Sequence, residues 1–294
     1  VITLTELKKH ASHAEQVQRL IDHGLKISDK REAEKLLASV NYYRLTGYLH
    51  DFKLPQSDKY REEITFDRLK SIYSFDKKFS RILMYALEDI EESLKAHISY
   101  CLTSHFPDDP LIYLNPKIYR SYSEYSKFQN IFYQTVTNNK NLPFVKHHNN
   151  VYEGKLPMWV AVELFTMGNI HAVYNNLLPS FQKEIAKAYY TGPNQLSNWI
   201  ENLTYSRNHL AHYMRIYNFN FGRTPAVCKN HLRNFVPSHK IFDQIFIMSC
   251  LYSDPDDWKN YVVLEIRALL DEYSENICLS DLGFPDKWEQ ILTK

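Results

Sequence analysis

Residues 65–102, "TFDRLKSIYSFDKKFSRILMYALEDIEESLKAHISYCL", constrain this chain more than any other stretch. Phe66, Leu69, Ile72, Phe79, Ile82, Leu83, Ala86, Ile90, Leu94 and Ile98 recur at three-and-four spacing, the period of one helix face. Thr65 is the expected N-cap. The spacing predicts one long curved helix or two abutting ones, roughly 55 Å from end to end at 1.5 Å per residue. An apolar stripe of that length has to be covered by other helices.

The remaining segments supply them. "HAEQVQRLIDHG" and "SDKREAEKLLASVNYYRL" read as two shorter amphipathic helices parted by Gly24, with Ser28 the expected cap of the second. Residues 156–178 read as an apolar helix with an interruption at Gly168. Residues 192–218 read as a helix opening at Gly192-Pro193 and keeping its period to Tyr217. "HKIFDQIFIMSCLY" and "DPDDWKNYVVLEIRALLDEY" give two late helices. Residues 103–122 and 138–157 are expected as loops or insertions, and 218–238 as an irregular basic connector. Seven glycines against 22 Tyr and 16 Phe argue against a turn-rich β protein, and no repeat of 20–50 residues is present. The expected fold is an all-α helical bundle with additional N- and C-terminal helices. Its expected divisions are an N-terminal helical segment over 1–60, a helical core over 61–220 with a loop insertion near 103–157, and a basic connector with C-terminal helices over 221–294.

No apolar run approaches the ~20 residues that span a bilayer, and the start "VITLTELKKH" is not a secretory signal. A cytoplasmic location without membrane attachment is expected. Cys101, Cys228, Cys250 and Cys278 are scattered with no CxxC pair, so reduced thiols are expected. His147-His148 lacks a companion ligand at a recognised spacing and reads as a solvated loop. There is no Walker loop, GxGxxG or HExxH; no metal or cofactor is expected.

Net charge is +1, but its distribution is uneven. From Asn202 to Phe242 there is no Asp or Glu, while Arg207, Arg215, Arg223, Lys229, Arg233 and Lys240 all fall there with four histidines. A second acid-free window, Tyr125 to Tyr152, interleaves Lys127, Lys140 and Lys146 with Tyr125, Phe128, Phe132, Tyr133 and Phe144. Cations among rings suit a polyanion with unstacked bases, if the fold brings them to one surface. Lys127, Lys140, Lys146, Arg223, Lys229, Arg233 and Lys240 are therefore the candidate RNA-binding residues.

The acid-free segment contains "YSRNHLAHYMRIYN", residues 205–218. On a continuous helix Leu196, Ile200, Leu203, Leu210, Met214 and Tyr217 form an apolar stripe, with Arg207 directly on it. Asn208, His212 and Arg215 follow along an adjoining stripe. Two readings stand. Arg207 could be structural, paired with Glu88, Glu91 or Glu92 of the long helix. Alternatively, the set could handle a ribose-phosphate. An imidazole takes or gives protons near neutral pH, a guanidinium fork matches nonbridging phosphate oxygens, and a ribose 2′-hydroxyl is an intramolecular nucleophile. That chemistry cleaves RNA without a metal, leaving a 2′,3′-cyclic phosphate and a 5′-hydroxyl, and spares DNA.

"RNHLAHYMRIYN" resembles the RNxxAHxxRxxN motif of the Abi family, bacterial abortive-infection proteins of the AbiD/AbiF type. The resemblance extends to "VNYYRLTGYLHDF" at 40–52, "YSFDKKFSRILMYALEDIEESLKAHI" at 73–98, "LPMWVAVELFTMG" at 156–168 and "LGFPDKW" at 282–288. That family resembles the HEPN superfamily, whose helical bundle carries an Arg, a polar residue and a downstream His as a ribonuclease site. The resemblance implies a HEPN-like bundle and an RNA-cleaving toxin of antiphage defence, with Arg207, Asn208 and His212 catalytic. It implies supporting roles for Glu91, Arg215 and Asn218. It further implies RNA as substrate, a structured noncoding RNA as a regulatory partner, and a homodimer in which two sites face one another. Tyr213 stands where many relatives carry a second His, and Lys95 where many carry Arg. The alternative is a noncatalytic module that binds a structured RNA. Tyr42, Tyr43 and Arg44 have two readings, RNA contact and aromatic core packing, of which core packing is preferred; Trp159 and Trp288 are expected in the core.

Overall fold

The computed structural model describes residues 9–227 and 236–293. The fold is all-α, with extra helices flanking a core bundle; among the described residues there is no strand, only three isolated bridges. None of the described helices is long and apolar enough to cross a membrane.

The apolar stripe of residues 65–102 forms a single helix. α4 runs unbroken from Phe66 to His105, 40 residues, and Thr65 Oγ1 accepts from Arg68 N at 3.1 Å to start it. Phe66, Leu69, Ile72, Phe79, Leu83, Ala86, Ile90, Leu94 and Ile98 are all buried, with Phe75 completing the face. Before it come α1 (His13–Asp22), α2 (Lys30–Ser39) and α3 (Tyr42–Gly47). Ser12 and Glu15 close a reciprocal capping box on α1. Asp29, rather than Ser28, caps α2, because its carboxylate reaches both Arg31 N and Glu32 N, and charge-assisted acceptance is the stronger.

After α4 come α5 (Tyr122–Asn138), α6 (Pro143–Val151), α7 (Met158–Ala161), α8 (Met167–Asn176), α9 (Pro179–Ala188) and α10 (Pro193–Ala211). Residues 138–157, expected as loop, contain α6. Pro143 sets its first turn and Val145 is buried beneath it. The 156–178 segment does break, but at Phe165 and not at Gly168. Thr166 and Asn169 form a capping box there, which restarts the helix and leaves Gly168 inside α8.

α11 (Ile241–Leu251) and α12 (Val263–Glu272) follow, the second entered through a π-helical turn at Trp258–Val262. α10 packs on α8, α9, α4 and α11, while α12 packs along α4. The two central helices are therefore α4 and α10. Gly283, in "LGFPDKW", has φ +80° and no room for a Cβ against Ser238 and Lys240. A glycine is required on both grounds. Phe284 beside it packs on Phe79, Phe242 and Trp288. Trp288 is buried as expected, but Trp159 is 56% exposed and Tyr43 72%. Tyr42 is partly buried against the core.

Candidate functional site

α10 stops six residues short of Tyr217, the end its apolar period predicts. His212 is its C-cap, and Tyr213 turns left-handed at φ +56°. Tyr213 N donates to Leu210 O at 2.9 Å and Met214 N to His209 O at 3.0 Å, the paired bonds of a Schellman ending. That motif ordinarily uses glycine, because a side chain is crowded in this conformation. Arg44 of α3 donates its guanidinium to the Tyr213 carbonyl and helps to hold the turn.

What draws the chain away from helix is Asp76, deep in α4. It is 3% exposed, and its two oxygens accept from Ile216 N at 2.7 Å, Tyr217 N at 2.9 Å and Tyr48 Oη at 2.8 Å. Burial pushes its carboxyl up to about 6, opposed by these three donors and by Arg215. Arg215 donates to Asp51 Oδ2 at 2.6 Å. His209 faces inward, bonds the Arg215 carbonyl through Nε2 at 2.7 Å and stacks near Phe219; burial lowers its pKa. Asn218, at φ +49°, accepts from Lys240 Nζ at 2.7 Å. Arg215 and Asn218 are thus tied into a turn pinned to α4 and are not stacked beside His212. Met214, expected on the buried stripe, is 53% exposed.

Arg207, Asn208 and His212 behave differently. Arg207 Nε lies 3.9 Å from Glu91 Oε2, and the arginine side chain is 36% exposed. That separation is an ion pair without a hydrogen bond, so its donors stay open. Glu91's other oxygen is 3.0 Å from Lys95 Nζ. Glu88, Glu91, Glu92, Lys95 and Arg207 line a cavity of about 160 Å³ with Met84 and Leu87. Three carboxylates against two cations leave that side net negative, an environment unfavourable to phosphate. Asn208 and His212 are exposed, and neither side chain has a hydrogen-bond or ion-pair partner among the described residues. Five residues rise about 7.5 Å and turn about 140° along a helix, so Arg207 and His212 leave the end of α10 on different faces with Asn208 between them. A ligand that meets both has to wrap the helix end.

Three of the other basic residues are already paired. Lys127 pairs with Glu124 at 2.7 Å, Arg223 with Glu201, and Lys240 with Asn218. Lys140 and Lys146 are exposed without a partner among the described residues. Lys229 and Arg233 lie outside the described residues. The rings interleaved with the lysines are mostly unavailable for stacking: Tyr125, Phe128 and Phe132 form the buried face of α5, with Phe128 and Phe132 against Phe165. Tyr133 alone of the helix's rings in that window is half exposed.

Comparison with known families supplies the assignment. The family model described as "Abi-like protein" matches residues 35–218, from within α2 to the Asn218 turn. The chain belongs to the Abi-like protein family. No curated protein and no solved structure matches it. The match takes in Asp76, Glu91 and all of "RNHLAHYMRIYN"; α11 and α12 of this Abi-like chain lie beyond it.

Sequence reasoning missed Asp76, Asp51 and Tyr48. Asp76 did carry a signal: four residues after Ile72 and three before Phe79, it sits on the buried stripe of α4, where a carboxylate must find donors. The sequence did not say which donors. One further donor set in this Abi-like chain went unforeseen, Cys101, His105 and Glu184, whose ligand atoms lie within 4.8 Å of one another.

Proposed function

We propose that this Abi-like protein is a metal-independent endoribonuclease, an RNA-cleaving toxin of bacterial antiphage defence. The family assignment accords with a defence role. The observation that carries the chemistry is the contrast at the end of α10. Arg207 is braced by Glu91 at 3.9 Å with its remaining donors open, and His212, the C-cap of the same helix, is exposed and unpartnered.

In this reading the substrate's 2′-oxygen attacks the adjacent phosphorus while the P–O5′ bond breaks. His212 takes the 2′-hydroxyl proton or delivers one to the leaving 5′-oxygen. Arg207 binds the nonbridging oxygens, on which negative charge builds. Asn208 donates its amide to a phosphate oxygen, and Glu91 positions Arg207. Two copies meet across a two-fold axis so that both Arg–His sets surround one phosphate.

Purified protein is incubated with labelled RNA in EDTA. Cleavage with 2′,3′-cyclic phosphate ends, absent on DNA and lost in Arg207→Ala and His212→Ala, supports the assignment. Unchanged cleavage by His212→Ala removes this residue from the mechanism. A sedimentation mass of one chain, under conditions where cleavage proceeds, removes the dimer. The exposed, unpartnered Lys140 and Lys146 favour a second reading, a binder of structured RNA. That reading predicts salt-sensitive binding that survives His212→Ala, without cleavage by the wild type.

A further inference from the structure

Met84 lines the small acidic cavity beside Arg207, and it also lines a second, larger one of about 570 Å³. The larger cavity is a groove between the α2–α3 junction, the α4 segment from Tyr73 to Met84, and the end of α10 from Leu210 to Met214. Its charge is the opposite of its neighbour's. Arg44, Lys77 and Arg81 are exposed at its edge. The sole carboxylate in its lining is Asp76, and both of that residue's oxygens are already occupied by Ile216, Tyr217 and Tyr48. Lys77 and Arg81 have no ion-pair partner among the described residues, and Lys77 Nζ sits 5.7 Å from the Tyr73 ring centroid. The lining is largely apolar and aromatic, with Tyr48, Tyr73 and Tyr213 among Leu210 and Met84.

We infer that this groove is a nucleotide-binding subsite, holding one unpaired nucleotide of an RNA strand next to the linkage presented to Arg207 and His212. The inference rests on the ribonuclease reading for the direction the strand takes. The groove's own chemistry supports the occupant independently. A volume in the range of small-molecule sites with aromatic walls accommodates a base, whose π face stacks on any ring. Three cations uncompensated by any free carboxylate suit the phosphates on either side of that base. Position supplies the link to the candidate site: Ala211 and Tyr213, the two chain neighbours of His212, both line the groove. A strand lying there runs past the backbone on both sides of His212, whose own side chain is outside the lining, whereas the three glutamates behind Arg207 repel it from the other cavity.

The groove also gives the strained turn a use. Tyr213 at φ +56° is held by Arg44, so a groove wall and a groove cation are fixed to each other before ligand arrives. Preformed sites of this kind lose less freedom on binding.

The test uses the full chain carrying His212→Ala, so that RNA stays intact, and short fluorescent single-stranded RNA oligonucleotides read by anisotropy. Lys77→Glu with Arg81→Glu is added to that background. Both positions are exposed, and an unchanged melting temperature confirms the fold. The expected result is at least a tenfold weaker affinity, with Lys77→Arg/Arg81→Lys restoring most of it. In the chain that retains His212, the same charge reversal raises KM at least tenfold, with a smaller loss in kcat. If the wild type cleaves RNA and the charge reversal changes neither KM nor affinity, the subsite is overturned and the ribonuclease assignment stands. If the wild type cleaves nothing but groove-dependent binding is found, the assignment fails and the subsite stands. Absence of any oligonucleotide binding by the His212→Ala chain overturns the subsite.

Discussion

The last turn of α10 and the seven residues after it hold two sets of polar side chains. His209, Arg215 and Asn218 have their heads spent on the Arg215 carbonyl, Asp51 and Lys240. Asn208 and His212, interleaved with them, have no internal partner, and Arg207 has only a long contact to Glu91. Residue type does not separate the sets, since each contains an Arg, an Asn and a His. What separates them is the turn that Asp76 of α4 fixes through the Ile216 and Tyr217 amides, which brings Arg215 to Asp51, the Arg215 carbonyl to His209 and Asn218 to Lys240. A polar side chain that the fold leaves unpartnered at an exposed edge is free to meet a ligand; one that closes a turn is not.

The most severe way to break this contrast is to remove one head from the open set and, separately, the acceptor that pins the turn of the occupied one. His212→Ala should leave stability within about 0.5 kcal/mol of the wild type, as exposed substitutions do. RNA cleavage should fall by about 10²–10⁴-fold, the usual worth of a positioned proton-transfer group. Denaturant unfolding and a gel-based cleavage assay on the same preparation check both halves. A large stability loss in His212→Ala would move it into the structural set. Next in size is Asp76→Ala, which leaves Ile216 N, Tyr217 N and Tyr48 Oη without their acceptor. Unsatisfied buried groups cost about 1–3 kcal/mol each, so urea unfolding should show a loss of roughly 3 kcal/mol or more. Cleavage per folded molecule should decline only as far as the α10 end is displaced.

Titration sharpens the same comparison. The Asp76 carboxyl is pushed from its ordinary 3.8 up to about 6 by burial. The folded chain therefore keeps a proton on Asp76 that the unfolded chain releases. Its stabilising contribution is complete below about pH 4 and is lost as pH rises through about 6. Asp76→Asn has no such proton. Its stability difference from the wild type should shift against the wild type by roughly 2–3 kcal/mol between pH 4 and 7, at 1.36 kcal/mol per pKa unit. Urea unfolding at a series of pH values measures it. A flat difference would mean that the three donors just offset burial, and a trend of the opposite sign that they outweigh it.

How much of this was legible depends on how local the cause is. The α4 stripe, the Thr65 cap and the Pro193 start of α10 are written in neighbouring residues, and the structure follows them. The end of α10 is not. Leu210, Met214 and Tyr217 keep the helical period, yet the chain turns at Tyr213 because Asp76, about 140 residues earlier, takes the Ile216 and Tyr217 amides. A separation of 164 residues likewise hid Asp51 from Arg215. Burial misled for α5, where Tyr125, Phe128 and Phe132 among lysines look like a stacking surface but face the core. The motif "RNHLAHYMRIYN" lies inside the Abi-like match. Only the tertiary contacts divide it into groups that are occupied and groups that are open.

The smallest expected effect falls on the residue that joins the two sets. Tyr213 follows His212 directly and starts the turn that carries Arg215 inward. Its left-handed φ of +56° costs a non-glycine residue about 1–2 kcal/mol, and glycine is the usual occupant of this position in a Schellman ending. Tyr213→Gly should therefore raise stability, by up to about 1 kcal/mol once the greater freedom of glycine in the unfolded chain is subtracted. A rise of a few degrees in melting temperature is the readout. The gain comes with the loss of one aromatic wall of the groove beside His212, so oligonucleotide affinity should fall while the fold becomes firmer. If both properties improve together, the tyrosine is neither strained nor in contact with ligand. If stability drops, the ring contributes more to packing than its 76% exposure implies. Opposite movements of stability and affinity would mean that this position is held in an unfavourable backbone conformation for what its side chain contributes to the open face.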